Sequence, residues 1–441
     1  MLKIMMARKT ASPKVIADPV YGIVDIRPVL AMVETEEFQA LGDKRQLGMS
    51  HLTFPSATHT RKAHSLGAYH ATRELADRWI KRGAITEREG KAMAGYALYH
   101  DIGHPAFSHV TEPLCPVPKG AGGSMSVNSA LSLMIIRRRR REIEAAGIDF
   151  KLLEGIACHR NPLHLAVSDK NLGMEKLDYL ERDGLFTILS RPVGVEYLRH
   201  HIYFADGRLA IDEKVVDNAI EIQNFYLKMY KNVYLRKTSA IAQRMLQKMT
   251  HRLIVAGDIA ASDLPGMTDS ELLGSVRFSG DPAAHAMYHL FKTRDLYREG
   301  IVVRPERFAG NEARPGKAVF TFAANHRDIH KLIRDPALQP KNQEGLAAIE
   351  DAIGAIAGIP KNNILAVPII TPERFEAQDI MIYRGKGRKP ASLKERYPAH
   401  FKNIEEVAQA YPAFRVATTG RYRAKLSSPR IAKKVLALLL K

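Results

Sequence analysis

The stretch 92–109, AMAGYALYHDIGHPAFSH, constrains the fold more than any other. Its first eight residues are small or apolar, the composition of a helix buried over most of its surface. The ten that follow carry His100, Asp101, His104 and His109. A polar group buried without a partner costs roughly 2–7 kcal/mol. The chain must therefore fold so that other elements bring complementary groups, or an ion, to the end of this helix. Imidazole and carboxylate are good ligands for a divalent cation. His100 and Asp101 are adjacent, so both converge on one ion only at a helix end, and further ligands must come from elsewhere.

Candidates lie on two other segments with helical patterning. SATHTRKAHSLG (56–67) places Arg61 three residues before His64, on one helix face. GMEKLDYLERD (173–183) offers Glu175, Asp178, Glu181 and Asp183, of which Glu175 and Asp178 share a face. Taken singly, each of these is as well explained as a core histidine or a surface acid.

Elsewhere, KVIADPVYGIVDIRPVL (14–30) reads as short strands or extended chain. ETEEFQALGDKRQL (34–47) reads as a helix. PVPKGAGGSMS (116–126) is a loop by its Gly, Pro and Ser content. The helix after it carries five consecutive arginines at 137–141, the pattern of a solvated face. Residues 212–256 are strongly helical in pattern. IVVRPERF, AVFTFAA, NNILAVPII and DIMIYRG, between 295 and 385, read as strands with helices between them, an α+β unit. Three regions are expected: 1–256 as a helical core, 257–390 as a helical and α+β subdomain, and 391–441 as a basic C-terminal tail.

The chain has 441 residues, 46% hydrophobic and 26% charged, which is ordinary for a globular protein. Its two cysteines, Cys115 and Cys158, make neither a disulfide framework nor a zinc knuckle, which suits a reducing compartment. MLKIMMARKTASPK has no apolar signal region, and no apolar run approaches the about 20 residues that span a bilayer. The expectation is a cytoplasmic protein with no membrane contact. Net charge is +19, and the segment from Arg384 onward holds 15 Lys/Arg against 3 Asp/Glu. Such an excess favours polyanionic partners. With the interleaved Tyr397, Phe401, Tyr411, Phe414 and Tyr422, it raises nucleic-acid binding through the tail as one expectation.

The joint pattern of a His, then His-Asp, then a carboxylate, on separate helices, resembles the HD-domain phosphohydrolase superfamily. KVIADPVYG, FQALGDKRQLG, FPSATHTRKAHSLG, HDIGHPAFSH and MEKLDYLERD, in this order, are similar to the SAM-and-HD-domain dNTP triphosphohydrolases and their bacterial relatives. The resemblance implies a mainly α fold, an HD-domain helical core with a smaller α+β C-terminal part. It implies a divalent metal (Mn, Mg, Fe or Zn) held by His64, His100, Asp101 and Glu175, the last at a position that is normally Asp. Arg61, His104 and His109 would line the phosphate-cleaving site. Gln46, Leu47, Tyr179 and Asp183 would meet the sugar. Lys176 would meet the phosphates, with Tyr179 beside it, and Lys231 stands where the family has a phosphate-binding Arg. The implied substrate is a nucleotide, and a homo-oligomer is implied as well.

The pattern also departs from the family. Where nucleotide hydrolases carry a further catalytic His-Glu pair, this chain reads SVNSALS, with Asn128 the nearest polar residue. Of the acid and Arg that read a guanine activator, Glu34 keeps the acid and Gly42 replaces the Arg. Ser239, Ile241 and Ala242 replace further polar positions, so activation by nucleotides is expected to be absent or altered. A degenerate HD scaffold with a binding or signalling role, and a phosphodiesterase, are the alternatives these departures raise.

Overall fold

The computed structural model describes residues 14–118, 125–312, 318–368, 377–385 and 388–440. It opens on an antiparallel hairpin of β1 (Val15–Asp18) and β2 (Gly22–Asp25), with Asp18 opposite Gly22. The segment 34–47 yields less helix than its pattern promises: only Glu36–Ala40 is α-helical, followed by a single 3-10 turn. Two long helices form next. α1 (Arg61–Lys81) starts at Thr60, whose hydroxyl accepts the Ala63 N–H. α2 (Glu87–Tyr99) starts at a reciprocal Thr86–Glu89 cap, and all of its residues 92–99 are buried. Such caps contribute about 1 kcal/mol each.

α3 (Val127–Arg138), α4 (Phe150–Ala157) and α5 (Met174–Thr187) complete the packing around α1 and α2. The arginine run is interrupted at Arg139 and forms an ion-paired, largely solvated face. Arg138 and Arg139 pair with Glu37, Arg140 with Glu144 and Arg137 with Glu154. A hairpin of β3 (Ile202–Ala205) and β4 (Arg208–Asp212) closes over Trp79, whose indole N–H donates to Ile202 O at 2.9 Å. α6 (Val216–Met229) runs into a π-helical turn, Tyr230–Tyr234, and then α7 (Lys237–Ala256). The hydrophobic side chains of α1 to α6 share one core, while α7 anchors a second one with α8 (Asp269–Phe278) and α9 (Pro282–Lys292).

The strands expected between 295 and 385 form, but not as one unit. β5 (Arg298–Pro305), β6 (Phe320–Ala324) and β7 (Ile364–Val367) join a later strand, β10 (Phe414–Thr418), in a sheet of order β6-β5-β10-β7, with α10 (Gln343–Ala357) against it. β8 (Met381–Tyr383), the DIMIYRG segment, leaves that sheet. It pairs in parallel with β4 and antiparallel with β9 (Ala391–Ser392). Ile380 and Ile382 are thereby buried in the core of α1 to α6. An apolar run says that a strand pairs, not with which neighbour.

Residues 391–440, expected as a basic tail, are built into the fold. Leu393, and Phe401 on α11 (Pro398–Ala408), belong to the first core. β10 (Phe414–Thr418) lies between β5 and β7. Leu426 and the apolar face of α12 (Pro429–Leu439) fill the third core. Phe401 and Phe414, expected between the cations as stacking platforms, are 2% and 0% exposed, so their rings are spent on packing. A buried ionic knot joins α7 to this C-terminal part. Glu350 on α10 accepts from Arg244 at 3.1 Å and Lys248 at 2.5 Å, and from the Ala366 N–H at 3.0 Å. No described helix is long and apolar enough to cross a membrane.

Candidate active site

The N-terminus of α1, the C-terminus of α2 and the middle of α5 meet at one point. His64 comes from α1 and His100 follows directly on α2. The Nδ1 of His100 is 2.7 Å from Ala97 O, an atom that only accepts, so this nitrogen carries the proton. His64 Nδ1 is 2.7 Å from Asp178 Oδ2 on α5. Burial works against charge on Asp178, but the Arg182 guanidinium and the His64 hydrogen bond outweigh it and hold the carboxyl well below its usual range. Asp178 therefore accepts, and His64 Nδ1 donates. The two Nε2 atoms face each other at 3.2 Å. Two ring nitrogens aimed at one point, each ring fixed by a hydrogen bond on its opposite side, are placed to share a cation.

Asp101 completes the group. A nitrogen of His64, a nitrogen of His100 and an Asp101 oxygen all lie within 4.8 Å of one another, and all three residues are buried. Burial again opposes the Asp101 charge, and the Arg61 guanidinium beside it helps to hold the carboxyl well below its usual range. Arg61 donates to Asp101 Oδ2 and, through Nε, to Ser108 Oγ at 2.9 Å. The donor set fits a divalent transition metal: two imidazoles and one carboxylate, each fixed by a second hydrogen bond. Gly67 makes the approach of α5 possible, because a Cβ there would overlap the Asp178 carboxylate and the Arg182 guanidinium.

The turn after Asp101 forms the other side of the site. His104 Nε2 is 3.2 Å from Asp101 Oδ1. Burial, and then the Arg61 charge, push the His104 pKa down to about 3, so its imidazole is neutral. His109 is exposed and its Nδ1 lies 2.7 Å from Glu112 Oε2. Phe107 and Ser108 both take left-handed φ, 57° and 56°. Such a conformation costs roughly 1–2 kcal/mol per residue, and the surroundings hold it in place. Asp269, at the start of α8, accepts the Phe107 N–H at 2.5 Å and the Arg45 N–H at 2.9 Å. Ser108 Oγ donates to Arg45 O. Lys44 Nζ donates to His104 O at 2.7 Å and Pro265 O at 2.8 Å.

The remaining expected residues lie on neighbouring elements. Glu175 is half-buried in the first turn of α5 and is not part of the His64–His100–Asp101 group, whereas Asp178, one turn later, holds His64. Lys176 donates to Lys170 O and sits 3.6 Å from the centre of the Tyr226 ring. Burial lowers its pKa to about 7. Tyr179 meets the His64 ring edge-on at 6.3 Å. Asp183 is buried and takes His59 Nε2 at 2.7 Å and the Tyr234 hydroxyl at 2.8 Å. Gln46 pairs through its backbone with His59, and its Oε1 is buried without a hydrogen-bond partner among the described residues. Leu47 packs on the first core, and Lys231 is exposed on the π-helical turn. Asn128, in the stretch that lacks the His-Glu pair, reaches Asp101 Oδ1 with its side chain at 3.3 Å, and its N–H donates to Glu112 Oε1 at 3.1 Å. Glu34 and Gly42 are exposed, while Ser239, Ile241 and Ala242 are buried in α7.

Sequence reasoning did not single out His59, Glu112, Asp269, Ser132 or Tyr234. Glu112 stands three residues after His109, a spacing that makes contact within a turn, and so it was within reach. His59, Tyr234 and Asp269 act across sequence gaps of 51 to 224 residues, for which no local pattern exists.

Residues 193–337 match the family described as HD associated region. A putative HD domain-containing protein of Acanthamoeba polyphaga mimivirus is 29% identical over 255 residues, 52% of this chain and 55% of that protein. An uncharacterized protein of Bacillus subtilis, YwfO, is 30% identical over 257 residues, 55% of this chain and 57% of that one. A Dictyostelium discoideum homolog of the deoxynucleoside triphosphate triphosphohydrolase SAMHD1 is 29% identical over 255 residues, 53% of this chain and 48% of that one. The matches thus span about half the length of these relatives. Among solved structures, a phosphohydrolase from Bacteroides thetaiotaomicron superposes with a TM-score of 0.66 at 21% identity, covering 92% of this chain and 99% of that one. At that identity the likeness is one of fold.

Proposed function

The chain belongs to the HD-domain phosphohydrolase superfamily, and on that premise we propose that it is a metal-dependent nucleotide phosphohydrolase, specifically a dNTP triphosphohydrolase that releases deoxynucleoside and inorganic triphosphate. The observation that carries this reading is the pair of Nε2 atoms facing each other at 3.2 Å beside Asp101. When bound there, a divalent ion supplies Lewis-acid polarisation of a phosphoryl oxygen or a more acidic bound water. Arg61 offsets the negative charge of the phosphates from the same side. His104 and His109, the latter oriented by Glu112, line the phosphate-cleaving side of the site. Gln46, with its unsatisfied Oε1, and Asp183 receive the sugar hydroxyls, beside Leu47 and Tyr179. Lys176 and Lys231 bind the outer phosphates. Glu175 is the fourth metal ligand of this reading, and Glu175→Gln tests it by the manganese affinity it removes.

The test is phosphate, pyrophosphate and triphosphate release from the four dNTPs and GTP, with and without added manganese, using Asp101→Asn as the control. Triphosphate release that disappears in the variant supports the proposal. Protein that binds metal but cleaves no nucleotide overturns the nucleotide reading. Protein that binds no metal overturns the whole of it and favours a scaffold.

A further inference from the structure

His104, His109 and Glu112 form a second group outside the His64–His100–Asp101 set. One nitrogen from each ring and one Glu112 oxygen all lie within 4.8 Å of one another. The two rings meet edge-to-face at 4.8 Å between centroids. Ligands 2.0–2.2 Å from a tetrahedral zinc are about 3.5 Å apart, so closure on an ion needs a movement on the order of 1 Å. His109, with its side chain 71% exposed, is free to make it.

The donors are prepared as ligands. His104 Nδ1 is buried without a hydrogen-bond partner among the described residues. Glu112 Oε2 lies 2.7 Å from His109 Nδ1, and its Oε1 accepts the Asn128 N–H at 3.1 Å, so the carboxylate is held against the ring. Asp101 faces both groups, with Oδ2 3.7 Å from His64 Nε2 and Oδ1 3.2 Å from His104 Nε2.

We propose that His104, His109 and Glu112 form a second divalent transition-metal site, adjoining the first through Asp101 and open to solvent on the His109 side. Two imidazoles and one carboxylate select manganese, iron, cobalt or zinc over calcium or magnesium. The proposal builds on the metal reading of the first site and not on its substrate.

The test counts metal. Metal-free full-length protein is titrated with zinc and with cobalt, followed by calorimetry, elemental analysis and cobalt absorption. All proteins carry His330→Ala, because His326 and His330, with Nε2 atoms 3.1 Å apart on an exposed helix, would bind ions of their own. Two equivalents are expected, falling to one in Glu112→Gln and in His109→Ala, with the remaining equivalent removed by His64→Ala. Retention of the first equivalent reports that the variants are folded. One equivalent in the parent protein, lost in His64→Ala and kept in Glu112→Gln, overturns the second site while leaving the proposed function intact. No equivalents at all overturns both. Two equivalents that survive both Glu112→Gln and His109→Ala place the second ion elsewhere and also overturn the inference.

Discussion

Asp178 is fully buried and receives His64 on one oxygen and Arg182 on both. It fixes which His64 nitrogen stays open. Asp178→Asn is therefore expected to weaken metal binding 10- to 100-fold, the usual cost of losing a carboxylate that orients a ligand histidine, while Asp18 still pairs Arg182. Manganese titration checks this, and an unchanged affinity would show that Asp178 serves only the packing. Asp269 has the opposite character. Burial pushes its carboxyl up to about 6, against the pull of the Arg45 and Phe107 N–H groups. The folded protein holds this proton more tightly than the unfolded chain does. Its contribution to stability is thus complete below the ordinary carboxylate value and is lost as pH rises through about 6. Relative to Asp269→Asn, the native protein should lose on the order of 3 kcal/mol between pH 4 and 7, since a tenfold change in proton affinity is worth about 1.4 kcal/mol. Denaturant midpoints of the two proteins across that range test it, and a constant difference would rule it out.

At the scale of the element, α3 locks the turn that carries the site. Ser132 Oγ accepts the Gly103 N–H at 3.0 Å and donates to His100 O at 2.9 Å. Gly103 lies so close that a Cβ there would overlap the backbone at Leu131 and Ser132. Ser132→Ala leaves a buried donor and a buried acceptor unpaired, which costs about 1–3 kcal/mol for each. It should lower the unfolding midpoint and speed metal loss together. A drop in midpoint without faster metal loss would mean that the turn keeps its shape without α3. The spacing in HSLG has a similar origin: Gly67 follows His64 by three residues and faces α5, where only a hydrogen fits.

For the whole molecule, the question is what the last 51 residues do. Their charge suggests a removable tail, yet they supply β10 between β5 and β7 and put Leu393 and Phe401 into the first core. Deletion of 391–441 should abolish cooperative unfolding by circular dichroism. A truncated protein that unfolds cooperatively near the native midpoint would refute this. Nucleic-acid binding is better tested by charge reversal at exposed positions such as Lys394 and Lys402. The sequence by itself determined the helices of the core, because their apolar spacing and caps are local. It also determined the chemistry at the end of α2, because three histidines and an aspartate in ten residues have few other uses. The tertiary structure alone decided that His59 and Tyr234 hold Asp183, that Asp269 pins the strained 107–108 turn, that Asp178 rather than Glu175 touches His64, and that β8 pairs with β4 instead of joining β7. Each of these depends on a contact between residues distant in the chain. Hydrophobic period and charge report which side chains are buried and how elements begin and end, but not which elements end up side by side.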